Sequence, residues 1–184
     1  MRKCQMGMMT EKKLLNKDDM DLVFYGTHDG MPNMADSYII GLLVQAEKEG
    51  SLDIFFFGRK PTGMEFLAQI KTGQIAFGVT YYKNKEVGIG ILDKRSQRHA
   101  HCHICAFSEW WGNPMLLEMT GEVYRRLLKT YTVLIGVIPV VNVRACKFVK
   151  KSGMKELCDI PGYFYDEKNN EAVAGKMLCI ERGD

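Results

Sequence analysis

The chain has 184 residues, 46% of them apolar, and a formal net charge of +3. That length fills one core and leaves too little for two ordinary domains and a linker, so a single domain over residues 1–184 is expected. No block of five or more like charges occurs, which argues against a dedicated nucleic-acid binder. The longest uncharged apolar run, Tyr131 to Val143, is interrupted by Gly136, Pro139 and Asn142 and falls short of the roughly 20 residues a membrane helix needs.

Residues 1–20 read as a loose N-terminal segment. Arg2, Lys3, Lys12 and Lys13 are followed by Asp18 and Asp19 instead of an apolar h-region, so no secretory signal and a cytoplasmic location are expected. Leu22 to Tyr25 is strand-like, and Thr27-His28-Asp29-Gly30 is a turn signal. From Met34 to Glu49 the residues Tyr38, Ile39, Leu42, Leu43 and Ala46 recur at helical spacing, with Gly50 placed to end the helix. Leu52 to Gly58 is aromatic and β-branched and reads as a strand. A short helix over Thr62 to Lys71, stopped by Gly73, follows.

Gln74 to Tyr82 and Val87 to Leu92 form an antiparallel hairpin about Lys83 to Glu86, and His101 to Phe107 extends it as a third strand. Ser108 to Pro114 is turn-rich. Met115 to Tyr131 returns to helical spacing, Thr132 to Val141 is a buried strand, and Val143 to Ser152 is a short helix. Gly153 to Tyr165 and Gly175 to Glu181 complete the chain as strands around an Asp166-to-Asn170 loop. The six cysteines, Cys4, Cys102, Cys105, Cys146, Cys158 and Cys179, are scattered, four of them inside apolar strand or helix patterns, and read as reduced thiols.

One stretch is specific. Leu134 to Met154, LIGVIPVVNVRACKFVKKSGM, resembles the GNAT acyl-CoA N-acyltransferase superfamily at its fifth strand, the helix after it and the entry to the sixth strand. The family's strand-ending Asn, the small residue three positions later and the Gly eleven positions later correspond to Asn142, Ala145 and Gly153. Met154 stands where the family has Phe. The segment from Met154 through Tyr163-Phe164-Tyr165 to Lys176–Ile180 is similar to the last two strands. The WWGN before a helix resembles phage-encoded members.

The resemblance implies an α/β domain with a mixed, mostly antiparallel sheet, helices on both faces, and fourth and fifth strands that run parallel and then splay. Splayed edges leave main-chain groups in need of partners, and a pantetheine arm can add to such an edge as an extra strand. Acetyl-CoA or another acyl-CoA is therefore the implied co-substrate, gripped by the main chain of Cys105 and Phe107. Its diphosphate is expected at the turn into the next helix, on the amides of Gly112, Asn113, Met115 and Leu116. Trp110 and Trp111 are placed to stack on the adenine or close over the acyl chain, or else to cap the core, with packing expected for one of them. Asn142 is a further candidate contact, or it only satisfies main chain at the strand's end.

The family's phosphate turn departs here: Glu109 replaces a Gln or Arg, and Pro114 replaces a second Gly or Ala, although Pro114 is tolerated in a first helical turn. His101 and His103 share one face of the strand, and an imidazole that titrates near neutrality is a sensible base for the attacking amine. Val149 occupies the position of the Tyr that protonates the leaving thiolate, and Phe148 beside it has no hydroxyl. Lys147, Lys150 and Lys151 form a basic helix face that either meets a 3′-phosphate or is simply solvated. Tyr163 and Tyr165 line the acceptor site or belong to an ordinary strand pattern.

Three functions are consistent with these residues. The first is acyl transfer, most simply acetyl transfer, from CoA to an amine on a small molecule or protein, with a homodimer left open. The second keeps the fold without the catalysis, as a binding or structural protein of possible phage origin, and Glu109, Pro114 and Val149 favour it. The third is a zinc module on Cys102 and Cys105. Strand alternation opposes that one, because Cys102 points away from His101, His103 and Cys105.

Overall fold

The computed structural model describes residues 15–56, 60–93 and 95–183. In chain order the elements begin with β1 (Met20–Phe24), the short strands β2 (Thr27–His28) and β3 (Met31–Pro32), and the helices α1 (Asp36–Lys48), α2 (Ser51–Phe55) and α3 (Gly63–Lys71). Then come β4 (Ala76–Tyr82), β5 (Lys85–Asp93), β6 (His99–Ala106), α4 (Met115–Leu127), β7 (Val133–Pro139), α5 (Val143–Lys151), β8 (Lys155–Asp166) and β9 (Glu171–Glu181). Of the expected loose N-terminus, residues 1–14 lie outside the described residues, while Lys17–Asp19 form a 3-10 turn and Met20 is buried at the start of β1.

Local chemistry explains most boundaries. Lys83 and Asn84 take positive φ angles of 52° and 61°, the conformation a two-residue hairpin needs, and so join β4 to β5. Thr62 caps α3 in a reciprocal box, its hydroxyl accepting from the Glu65 amide at 3.2 Å while the Glu65 carboxylate accepts from the Thr62 amide at 2.7 Å. Gly73, at φ 72°, ends that helix as expected.

The strand expected over Leu52 to Gly58 is instead the helix α2 at its described positions. Gly50, at φ 73°, ends α1 and restarts the chain as a new helical turn. Phe55 and Phe56 pack edge to face at 4.7 Å, and Phe56 meets Phe66 of α3 at 5.9 Å. Aromatic strand propensity reflects the fit to a half-buried surface, and here the helical layer supplies that surface.

The seven-stranded sheet has the order β1-β4-β5-β6-β7-β9-β8, and every neighbouring pair is antiparallel except β6 and β7. Phe66 of α3 packs on Phe77 at 5.7 Å and Phe55 of α2 on His103 at 6.3 Å. Phe77, Ile91 and His103 are cross-strand neighbours, so α2 and α3 cover one face. On the other face, a β-carbon on Gly136 would lie 3.4 Å from the Met154 sulfur, and one on Gly121 of α4 would lie 3.5 Å from the Ser152 carbonyl oxygen at the end of α5. The sheet is therefore mixed and mostly antiparallel, with helices on both faces. Among the described residues, no helix is long and apolar enough to cross a membrane.

Candidate active site

β6 and β7 are joined for three residue pairs only: His99 with Val133, Ala100 with Leu134 and His101 with Ile135. Beyond them β6 continues to Ala106 against β5, and β7 continues to Pro139 against β9. A cleft opens between the two parallel strands toward their C-terminal ends.

The register decides which main-chain groups face this cleft. The Phe107 amide donates to the Val87 carbonyl at 3.0 Å, and in the same ladder Cys105 pairs with Ile89 and His103 with Ile91. Hydrogen-bonded antiparallel pairs recur at every second residue, so these odd positions turn their main chain to β5, and Cys102, Ile104 and Ala106 turn theirs to the cleft. Across from them, the Val140 amide donates to Ala174 at 3.0 Å, which assigns Ile138 and Gly136 to β9 and leaves Val137 facing β6.

The expected pair, Cys105 and Phe107, thus spends its main chain inside the sheet. The Phe107 carbonyl also accepts from the Trp110 amide at 3.0 Å. Ile104, Ala106 and Val137 hold the positions that an extended amide-bearing ligand would pair with.

His101 and His103 lie half-buried on the face covered by α2 and α3. His103 Nε2 is 3.4 Å from Asp93 Oδ1, the two side chains being 30% and 29% exposed, and Asp93 is the register partner of His101. Two imidazoles and a carboxylate therefore share the wall beside the point where the strands part. Sequence spacing missed Asp93, because it belongs to the neighbouring strand. Farther across the sheet, Val137 and Tyr163 fill the space over Gly175, where a β-carbon would meet them at 2.7 and 3.0 Å. Tyr163 borders the same face.

Burial pushes the Cys102 and Cys105 thiols up to about 12, so neither offers a ready thiolate nucleophile at neutral pH. Among the described residues no group of three or more His, Cys, Asp or Glu side chains could hold a metal ion. The five cysteines described are all free thiols.

The turn from β6 into α4 has Gly112 at φ 77°, a conformation that favours glycine. Pro114 sits directly before the helix at φ −61°, where its missing amide costs nothing. Three of the four amides expected to be open at this turn are engaged. Asn113 donates to the Trp110 carbonyl at 3.1 Å, the Met115 amide donates to Asn113 Oδ1 at 3.0 Å, and Leu116 donates to the Asn113 carbonyl at 3.0 Å.

Trp110 is buried, with its indole donating to the Glu86 carbonyl at 2.9 Å. Trp111 is 50% exposed, and its indole donates to the Ala106 carbonyl at 3.0 Å. That bond fixes an exposed aromatic plane at the cleft mouth.

Asn142 is the cap of α5: its Oδ1 accepts from the Ala145 amide at 3.1 Å, and its own amide donates to the Pro139 carbonyl at 2.8 Å. Val149 and Phe148 pack against the core. Lys147, Lys150 and Lys151 line a groove of about 340 Å³ with Lys176 and Glu156 of the last two strands, beyond β7 from the cleft.

An antiparallel sheet opened by one short parallel pair, with a glycine turn at the mouth of the opening, is the fold of the GNAT N-acetyltransferases. The chain is similar to the ribosomal-protein-S5-alanine acetyltransferase of Vibrio fischeri, with TM-score 0.67 and 11% identity over 92% of this chain and 97% of that one. It is similar to the spermidine N-acetyltransferase of Vibrio cholerae, solved in complex with CoA and spermine, with TM-score 0.64 and 15% identity over 89% and 96% of the two chains. A ribosomal L7/L12 α-N-protein acetyltransferase in complex with CoA matches with TM-score 0.62 and 8% identity over 80% and 90%. No family model matches the sequence, and no curated protein sequence does.

Proposed function

We propose that this chain is an acyl-CoA-dependent N-acyltransferase, in the first instance an acetyltransferase, acting on an amine. The observation that carries the reading is the three-pair parallel ladder that ends at His101 and Ile135, because it leaves the main chain of Ile104 and Val137 and the Ala106 amide facing a cleft where a pantetheine arm can pair with them, the Ala106 carbonyl being held by the Trp111 indole. The thioester provides an activated carbonyl; on attack the amine nitrogen forms an amide bond to it and the carbon–sulfur bond breaks, expelling CoA as a thiolate that takes its proton from solvent. His103, beside Asp93, accepts the proton from the amine, and His101 on the same wall is the alternative base. Trp111 covers the arm where it leaves the cleft.

Calorimetric titration with acetyl-CoA tests binding, and free CoA thiol released in the presence of an amine panel tests turnover. At a ligand concentration of about 100 Kd, native-state binding adds about 2.7 kcal/mol of stability. His103→Ala is expected to leave acetyl-CoA affinity unchanged and to lower kcat about 100-fold, the contribution of a positioned base. Unchanged rates in both His103→Ala and His101→Ala would remove both residues from the chemistry.

A second reading, a binding or structural protein that keeps the fold without the transfer, draws on Val149 at the position of the expected acid and on the bonded amides of Asn113, Met115 and Leu116. Binding with no thiol release across the panel would favour it.

A further inference from the structure

Along the cleft edge of β6 the outward-facing main-chain groups belong to Ile104 and Ala106, and the next position in the same alternation is Ser108. Phe107 between them is extended at φ −70° and ψ 152°, which keeps the Ser108 amide in that alternation before the chain turns into a 3-10 helix at Ser108–Trp110. The Ser108 amide is already taken. It donates to Glu49 Oε2 at 2.6 Å, and Glu49 Oε1 accepts from Gln45 Nε2 at 3.1 Å. A carboxylate from the end of α1 is thus held in place at the open end of the strand edge. Its field also reaches the Cys105 thiol on that strand.

The turn beside it adds negative charge only. Residues 108–116, Ser-Glu-Trp-Trp-Gly-Asn-Pro-Met-Leu, contain Glu109 and neither Lys nor Arg. Lys147, Lys150 and Lys151 of α5 line the separate groove with Lys176 and Glu156. A diphosphate at this end of the cleft meets the field of a fixed carboxylate, whereas an uncharged pantetheine arm does not feel that repulsion.

We infer that Glu49 is a specificity residue of the cleft, setting acyl-pantetheine thioesters without a diphosphate at an advantage over acyl-CoA. This rests on the proposed acyl-thioester reading of the same cleft. The test is calorimetry of acetyl-CoA and S-acetylpantetheine against the wild-type chain, Glu49→Gln and Glu47→Gln. Gln keeps an acceptor for the Ser108 amide, and Glu47 is an exposed carboxylate two residues earlier, so its variant controls for net charge. Glu49→Met, of matched length, serves if the Gln variant does not fold.

Glu49→Gln is expected to tighten acetyl-CoA about five- to tenfold at low salt while S-acetylpantetheine changes less than about twofold, and Glu47→Gln leaves both as they were. An unchanged affinity ratio in the Glu49 variants, or an equal change in Glu47→Gln, overturns the inference. If no form of the chain binds either thioester, the proposed function falls and the inference falls with it.

Discussion

At Gly88 a β-carbon would stand 2.2 Å from the Cys105 carbonyl oxygen and 2.8 Å from the Ala106 α-carbon, both rigid main chain. This glycine lets β5 and β6 approach closely beside the cleft. Gly88→Ala is expected to cost about 2–3 kcal/mol by overpacking, read as a lower denaturant midpoint, and to weaken thioester binding by moving the β6 edge. Glu122 is the other residue whose environment predicts a measurement. Its side chain is 2% exposed and bonds the Arg125 and Arg126 guanidinium groups, with Lys17 at 3.7 Å.

Burial alone would raise the Glu122 carboxyl, but the two arginine bonds outweigh it and hold the group below the usual carboxylate range. A lowered folded value means the stabilisation is complete above the ordinary carboxylate pKa and is lost as pH falls through the folded value. Glu122→Gln should therefore lose about 2–3 kcal/mol at neutral pH, and the gap to wild type should close in acid, as followed by denaturant unfolding across pH. Neither residue announces its role in the sequence. A buried carboxylate and a strand glycine acquire meaning only from neighbours brought in by the fold.

Element by element, periodicity and turn chemistry marked out α1, α3, the β4–β5 hairpin, α4, β7, α5 and the β8–β9 pair. Each carries its own signal, such as the Gly73 stop after α3 or the Lys83-Asn84 turn. The α2 segment misled because its aromatic residues satisfy packing on either a strand or a helix. Register was illegible for a physical reason: moving one residue along a strand exchanges which main-chain groups pair and which stay open, and no side chain records the choice. That single step separates the expected Cys105 and Phe107 from Ile104 and Ala106. Cys105→Pro should remove a ladder bond to β5 and cost about 3 kcal/mol or more. Ile104→Pro deletes an amide on the open side, so it should cost less in a melting experiment while abolishing thioester binding.

Over the whole molecule, the stretch from Leu134 to Met154 located the strand and helix on one side of the cleft, with Asn142 between them as the helix cap. The other wall was only half legible. His101 and His103 stand together on one strand and could be read as a pair, but Asp93 and Glu49 reach the cleft region from β5 and the end of α1. Their distance in sequence hid them. The assembled arrangement places possible bases on the face covered by α2 and α3 and leaves an edge of open main chain between β6 and β7. Binding of an extended thioester along that edge is the claim on which the catalytic reading depends.

Residue-resolved amide NMR during titration with S-acetylpantetheine and acetyl-CoA addresses it directly. The account predicts that the Ile104, Ala106 and Val137 amides shift and gain exchange protection, while amides lining the groove of Lys147 and Lys176 stay unchanged. Saturable binding that leaves Ile104 and Val137 unperturbed would contradict it.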